Sequence, residues 1–443
     1  MQAGDIVREA LRLGFEEAVA VVKTTRWGML RYANNEATVF NKWVDASTRL
    51  YLVKGRRVYT ASLEGTFNPG DVLRNSLKAI GLLPEDKDYV ELVHESKPQV
   101  WDSYDPAVGG LDEKAPDLVK EAIDASLGEG AVRNAGQLTY GIVEAQYSDS
   151  TGLEASWRLS FVNLVNRAFG KDPEVSSMWG QASRQVSGIR ARELGSLTGS
   201  LVKLSSSLPK VEFEGRARVL LSPLVAGHLY GLVASMWLNA YSAYVGLSGF
   251  DKSMIGKQVA SGELTIMDLS SSRDAVGSEP IDLEGNPTSD VVLIENGVLR
   301  EFLTNNRTAA KLGLRRTGNA VNGWVTPSPR HIGIRAGAHR GDLQGLLKDL
   351  GNGVFIQNNW YTRFQNVKEG LFSTVCRDTV LLVKNGEPAG LVRGVRISDR
   401  FSTLLNKVAG LSSEAYQVYW WDMPTPATSP YVILDGVNLT RAI

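Results

Sequence analysis

The chain has a single cysteine, Cys376, among its 443 residues. That excludes an intrachain disulfide and suits a reducing compartment, so a cytoplasmic location is expected. Charge of either sign is not in excess, since Lys plus Arg and Asp plus Glu number 48 each. A balanced chain has no long-range attraction for nucleic acid or anionic lipid, and no direct nucleic-acid partner is expected. Asp5, Arg8 and Glu9 interrupt the N-terminal residues where a signal peptide needs an apolar run. Glycine, by contrast, is plentiful: 44 residues, a tenth of the chain against a usual ~7%, which calls for many tight turns.

One stretch lacks Asp, Glu, Lys and Arg altogether, from Leu221 to Phe250. It exceeds the ~20 residues that cross a bilayer. However, Gly227, His228, Gly231, Ser235, Asn239, Tyr241, Ser242 and Tyr244 are spread through it, and no second apolar run is present to cover them. The run therefore reads as a helix buried on most sides of a fold, with no membrane span.

At this length two domains are expected, 1–208 and 209–443. Apolar spacing predicts a first helix ending at Gly14, then strands over Ala18–Thr25, Gly28–Phe40 and Ser47–Leu63. Asn68-Pro69 opens a second helix. After a polar, proline-rich connection over 82–112 the order recurs: a helix stopped near Gly128, strands over Leu138–Tyr147, Ala155–Phe169 and Val175–Ile189, and a leucine-rich helix from Leu194 to Leu208. The fold class is thus α/β (α+β), with an N-terminal duplicated helix–three-strand–helix unit. The C-terminal domain is expected to be a mostly antiparallel sheet with a buried helix, its hairpins turning at Asn296-Gly297 and Asn385-Gly386.

An ordered set of segments in the second half resembles the TldD/PmbA family, historically called modulators of DNA gyrase. The set comprises Asp282-Leu-Glu-Gly285 with Pro287-Thr288, the hairpin Leu293–Leu299, Ala309–Leu312, Thr317-Gly-Asn-Ala320 and Glu369-Gly370 with Phe372-Ser373. Leu371 stands where the family's Gly-Asp-Phe-Ser segment has aspartate. The resemblance implies a two-domain dimer built from a zinc-bearing TldD-like subunit and a PmbA-like (TldE) subunit without zinc, together forming a protease for unfolded peptides. It also implies a zinc motif, His-Glu-x-x-x-His, on the first helix of the second domain, with a ligand cysteine nearer the C-terminus.

Aligning Val225-Ala226-Gly227 with that motif puts Gly231, Leu232 and Met236 at the His, Glu and His positions. Zinc hydrolysis needs about three N, S or O ligands and a carboxylate base, which glycine, leucine and a thioether do not supply. His228 has Gly231 and Leu232 as its helical neighbours and no ligand partner among them. His94-Glu95 runs into Pro98, and His331 and His339 flank a glycine-rich segment. Cys376 falls too early to be the family's ligand, and Val418–Pro424 holds Tyr419, Trp420 and Trp421 but no cysteine. No nucleophile elbow or phosphate loop is present.

No catalytic residue and no metal site are therefore expected in this chain, and zinc is expected in a partner subunit. The candidate binding residues are Asp282, Glu284, Asn319 and His228. Two acids in a glycine-containing loop are otherwise expected to be solvated or to cap turns. The expected role is a PmbA/TldE-like subunit beside a zinc-bearing TldD-like paralogue, helping to hold an unfolded peptide, with Trp324, Trp360, Tyr361, Trp420 and Trp421 as apolar contacts. The alternative is a stand-alone peptide- or ligand-binding homodimer.

Overall fold

A computed structural model describes residues 2–94, 96–339 and 342–441. The first half runs α1 (Ala3–Arg12), β1 (Glu17–Ala33), β2 (Glu36–Lys54), β3 (Arg57–Glu64) and α2 (Pro69–Ile80). It then repeats that order with α3 (Leu111–Glu129), β4 (Arg133–Asp149), β5 (Glu154–Phe169), β6 (Ser176–Ser183) and α4 (Ala191–Ser206). The strands form one antiparallel sheet in the order β3-β2-β1-β4-β5-β6. Each repeat contributes a three-strand meander, and the two meet through β1 and β4.

The first strand boundaries differ from those expected. β1 continues through Gly28 without turning, because Gly28 is a packing position: a Cβ there would lie 2.8 Å from the Tyr140 ring. The chain reverses instead at Asn34-Asn35, both in the left-handed region (φ 54° and 70°) that a two-residue hairpin turn requires.

Side chains on a strand alternate between faces. Along β1, Ala18 and Ala20 pack against α1 and α2, and Leu30 and Tyr32 pack with α3 and α4. Val19 and Val21 face the other way, into a cluster with Tyr147, Trp157, Ile281, Leu283 and Trp324. All four helices of the duplicated unit therefore cover one face of its sheet. The opposite face receives loops from the second half.

The helices α3 and α4 cross at two glycines. A Cβ on Gly195 would sit 2.1 Å from the Ala122 carbonyl oxygen, and one on Gly199 2.3 Å from that of Ser126. Gly195→Ala is expected to destabilise the protein by about 1–3 kcal/mol despite alanine's better helix propensity, because backbone must move to admit the methyl group. Chemical denaturation checks this; a variant as stable as the parent would show that the crossing tolerates a Cβ.

The second half contains β7 (Lys210–Val211), β8 (Gly215–Leu221), α5 (Pro223–Trp237), α6 (Ala240–Tyr244), β9 (Ile266–Asp268), β10 (Val291–Glu295), β11 (Val298–Leu299) and α7 (Asn306–Leu312). It continues with β12 (Ile332–Ile334), α8 (Leu343–Leu350), β13 (Gly353–Asn366), β14 (Leu371–Lys384), β15 (Glu387–Val392), β16 (Val395–Arg400), α9 (Phe401–Asn406), β17 (Val408–Val418) and β18 (Ala427–Arg441). Twelve strands make one mostly antiparallel sheet; β12–β18, β8–β13 and β7–β15 pair in parallel. The two sheets part in sequence between β6 and β7, whereas one hydrophobic core runs from α3 and α4 through to β18.

The uncharged run is not a single helix. It divides into α5 and α6 at Leu238-Asn239, and no helix among the described residues is long and apolar enough to cross a membrane.

Candidate functional site

α5 starts where its sequence says it should. Ser222 accepts from the Val225 N–H (3.4 Å), and Pro223 fills the first turn, where no N–H is needed. It stops because Asn239 caps the next helix, with its Oδ1 accepting from the Ser242 N–H (2.8 Å) and its Nδ2 donating to the Ser235 carbonyl (2.6 Å). Between these caps nearly every side chain is buried, and only Ser235 and Met236 are half-buried, one turn beyond Leu232.

Gly231, Leu232 and Met236 lie along that more open side. A Cβ at Gly231 would meet Thr425, Pro424 and Ile332 at ordinary contact distance, so the position has room but no donor. Leu232 offers carbon alone, and a thioether is a poor zinc ligand. Among the described residues no group of three or more His, Cys, Asp or Glu side chains is placed to hold a metal ion. These residues do not fit zinc.

His228 lies on α5, and its Nδ1 accepts from the Asn359 side-chain amide (3.1 Å), which also donates to Thr374 Oγ1 (3.0 Å). The nitrogen that accepts carries no proton, so the ring is neutral. Burial pushes its pKa down to about 4.

Two residues beyond Asn359 the backbone of β13 is irregular. Tyr361 sits at φ 57°, at a register shift between Trp360 and Arg363, and its N–H donates to Asp422 (3.1 Å). A tyrosine in the left-handed region is a strained position of the kind that clusters at functional sites. Its ring is half exposed, stacked under the Arg363 guanidinium at 3.7 Å, with Trp360 at 6.1 Å. Trp421, beside Asp422, is 66% exposed, whereas Trp420 and Trp324 are buried. Four of the five aromatic candidates, Trp360, Tyr361, Trp420 and Trp421, thus lie on the two segments that meet α5 around Gly227 and His228, β13 and 419–424. Sequence reasoning named the rings but missed the strained backbone, Asp422 and Asn359. Strain has no one-letter signature.

The other candidates gather elsewhere, where the 282–286 loop meets the helix-free face of the first sheet. Of the two outcomes expected for these acids, solvation or turn capping, Asp282 takes the second, and both Asp282 and Glu284 are buried. Asp282 Oδ1 accepts from the N–H groups of Glu284 and Asn286 (2.9 Å each), and its Oδ2 accepts from that of Ala320 (3.1 Å). Glu284 Oε2 accepts from the Asn306 N–H (2.7 Å) and the Asn286 amide (3.3 Å). Burial raises the pKa of both acids; for Glu284 the neighbouring Asp282 adds to it. The turn needs glycine at 285 (φ 75°), where a Cβ would strike Tyr147 and His94.

Asn319 is close behind, donating to Asp268 Oδ2 (2.6 Å) and to the Ser328 carbonyl (3.1 Å). Asp268 also accepts from Ser270 Oγ and from the N–H groups of Arg330 and His331, so it knits β9 to the strand beside it. Asp282, Glu284 and Asn319 therefore come together. His228 bonds none of them.

The remaining histidines are partnered: His94 with Asp149 (2.5 Å), His339 with Asp349 (3.0 Å), and His331 with the Val276 carbonyl and Thr428. Glu95 lies outside the described residues. The Cys376 thiol is buried, and its pKa is pushed up to about 12, which makes it unreactive.

Comparison with known proteins places this geometry in a family. The chain is similar to a metalloprotease of Methanothermobacter thermautotrophicus (32% identical over 162 residues, 36% of this chain and 35% of the relative). It is also similar to the TldD metalloprotease homologue of Buchnera aphidicola (31% over 157 residues, 35% and 30%). Each match spans about a third of the relative's own length. The fold is that of the TldE crystal structure from Thermococcus kodakarensis, with a TM-score of 0.82 at 18% identity, covering 99% of both chains. The Thermotoga maritima structure that carries the modulator-of-DNA-gyrase name agrees equally well, with a TM-score of 0.82 at 22% identity and 99% of both chains covered. The family model for the PmbA/TldA metallopeptidase C-terminal domain matches residues 214–441, just over half of the sequence. The chain belongs to the PmbA/TldD metallopeptidase family.

Proposed function

We propose that the chain is a non-catalytic, TldE-like subunit that works beside a zinc-bearing TldD-like paralogue in the cytoplasm, completing a protease for unfolded peptides. The observation that carries this reading is the blank position on α5. The helix is capped, buried and packed against β18 and β13, while Gly231, Leu232 and Met236 supply neither zinc ligands nor a base. The half-exposed Tyr361 and exposed Trp421 near that position support a role in holding a peptide. A docking surface is supported by the outer edge of β2. β3 pairs with it only over 47–54, so among the described residues no strand covers 36–46 on that side, and Phe40 and Val44 are exposed. Such an edge accepts a strand from another chain through main-chain hydrogen bonds.

Affinity purification of the tagged chain from its native cell tests the proposal. A zinc-containing paralogue is expected to come down in equal amount, and the chain alone is expected not to cleave unfolded protein. Zinc-dependent hydrolysis by the isolated chain, or recovery of self-associated chain with no paralogue, would overturn it.

A further inference from the structure

Where the end of β5 meets β14 and β15, three arginines gather around one buried carboxylate, that of Asp378. We propose that Arg167, Arg377 and Arg393 form a binding site for a phosphate group. The inference is independent of the partner-subunit reading, which uses none of these residues.

The first argument is convergence. Arg167 donates from Nε to Asp378 Oδ1 (2.7 Å), and Arg377 is the chain neighbour of that aspartate. β15 runs antiparallel to β14 with Leu391 opposite Leu381, so Arg393 follows alongside the same part of β14. The charges of Arg167 and Asp378 reach both Arg377 and Arg393. All three arginines are half-buried, so the group opens to solvent. Asp378 itself stands at φ 58°, a strained conformation for a residue with a side chain.

The second argument is a surplus of donors. Asp378 is already engaged on both oxygens: Oδ1 accepts from Arg167 and from Ser176 Oγ (2.7 Å), and Oδ2 from the Asn358 amide (2.8 Å). Arg377 makes no side-chain hydrogen bond or ion pair among the described residues; only its face is used, 4.0 Å from the centre of the Trp360 ring. Stacking occupies the plane of a guanidinium and leaves its N–H edge free. On Arg393, Nε and Nη2 are buried and have no acceptor. Asp172 and Glu174 favour the Arg393 charge from a distance, but their contacts are with Lys210 (2.7 and 2.6 Å). Burial lowers the pKa of Arg377 and of Arg393, the mark of charge that is poorly solvated.

Guanidinium N–H groups left without acceptors away from water are costly, and an oxyanion supplies acceptors and opposite charge together. Each guanidinium fork takes two oxygens. A carboxylate has only two, whereas a phosphate group has at least three and a charge of about −1.5 to −2 at neutral pH, which suits two arginines without a carboxylate of their own. A cation would be repelled here, and a neutral group would leave both charges uncompensated.

The test is calorimetric titration of the full chain with inorganic phosphate and with acetate at constant ionic strength, repeated on Arg377→Gln and Arg393→Gln. Neither substitution removes a side-chain hydrogen bond among the described residues, and circular dichroism melts verify that both variants fold. One phosphate site per chain is expected, at least about tenfold tighter than acetate, and each variant is expected to weaken phosphate by about tenfold or more. Phosphate should also raise the melting midpoint of the parent and leave those of the variants where they are. No saturable phosphate binding, acetate bound as tightly as phosphate, or phosphate binding unchanged in either variant would overturn the proposal. Glycerol 3-phosphate separates the sources. Binding at least as tight as that of inorganic phosphate supports a phosphate monoester as the natural ligand, and weaker binding supports the free ion; either is a positive result for the site.

Discussion

Replacing Glu279 by glutamine is expected to cost about 3–5 kcal/mol of stability at neutral pH, because it removes an anion that faces three buried or half-buried cations. Lys23, on β1, donates to both carboxylate oxygens (2.6 and 2.8 Å), and Arg330 lies 3.7 Å away. Arg184 contributes a third positive charge while holding the Ser160 and Ser278 carbonyls (3.1 and 2.6 Å). The Nε atoms of Arg184 and Arg330 have no partner of their own. Glu279 therefore ties the first sheet to the second, and a neutral residue there leaves charge stranded in a medium that solvates it poorly.

The pH dependence has a definite sign. The Glu279 pKa is lowered by Lys23 and Arg330 against the opposing effect of burial. A lowered carboxyl contributes stability that is present above its unfolded value, about 4.3, and lost as pH falls through the lower folded value. The gap between parent and Glu279→Gln should be full at pH 7 and close progressively in acid. Urea unfolding at several pH values measures it. A gap under about 1 kcal/mol at neutral pH, within the range of an exposed ion pair, would show that the cluster is solvated and contributes little.

How much of this was legible depended on how local the signal was. Asn68-Pro69, Asn296-Gly297 and Asn385-Gly386 mark their cap and turns because the residue type alone fixes the backbone, and the structure has them there. β13 and β17 were not legible. In β13 the middle residues Gln357, Asn358 and Asn359 are polar yet buried, which hides the apolar pattern of a central strand. Gln357 is there to donate to Ser177 and Asn358 to Asp378, partners known only after folding. Gly28 misled for the opposite reason, since it serves the Tyr140 ring and not a turn.

The site divides the same way. That Gly231, Leu232 and Met236 lack ligand atoms is a property of the letters and needed no coordinates. That Asp282 and Glu284 are buried is a property of the docking of one half on the other. Their loop composition suggested solvation or turn capping, and Asp282 does cap its turn. Tertiary packing buries both acids as well, which the letters alone do not show.

Acidification from pH 6.5 to pH 4 is expected to destabilise the protein through two buried histidines, by up to about 3 kcal/mol each. His228 and His331 are both pushed down to about 4 by burial, from an ordinary 6.5. His331 must donate from Nδ1, since its partner is the Val276 carbonyl (2.7 Å), so Nε2 accepts from the Thr428 hydroxyl (2.8 Å) and has no place for a second proton. Nearby charges are Arg184, which opposes protonation, and Asp290, which favours it. Below pH 6.5 the unfolded chain takes up protons that the folded chain refuses, so stability falls until about pH 4 and then levels. The buried acids act with the opposite sign. Glu284 and Asp282 have raised pKa values, so in the same range the folded state binds protons the unfolded one does not, and stability rises as pH falls. The net curve for the parent is a difference of these effects and does not isolate either. The comparison that does is parent against His228→Leu: the parent should lose about 3 kcal/mol relative to the variant between pH 6.5 and pH 4, whatever their order at pH 7. Against Glu284→Gln the relative change should run the other way, with the parent gaining as pH falls. A parent and His228→Leu pair whose difference stays constant from pH 7 to pH 4 would mean that His228 meets solvent in the folded state, and α5 would then be less closed on that side than its contacts with Asn359 require.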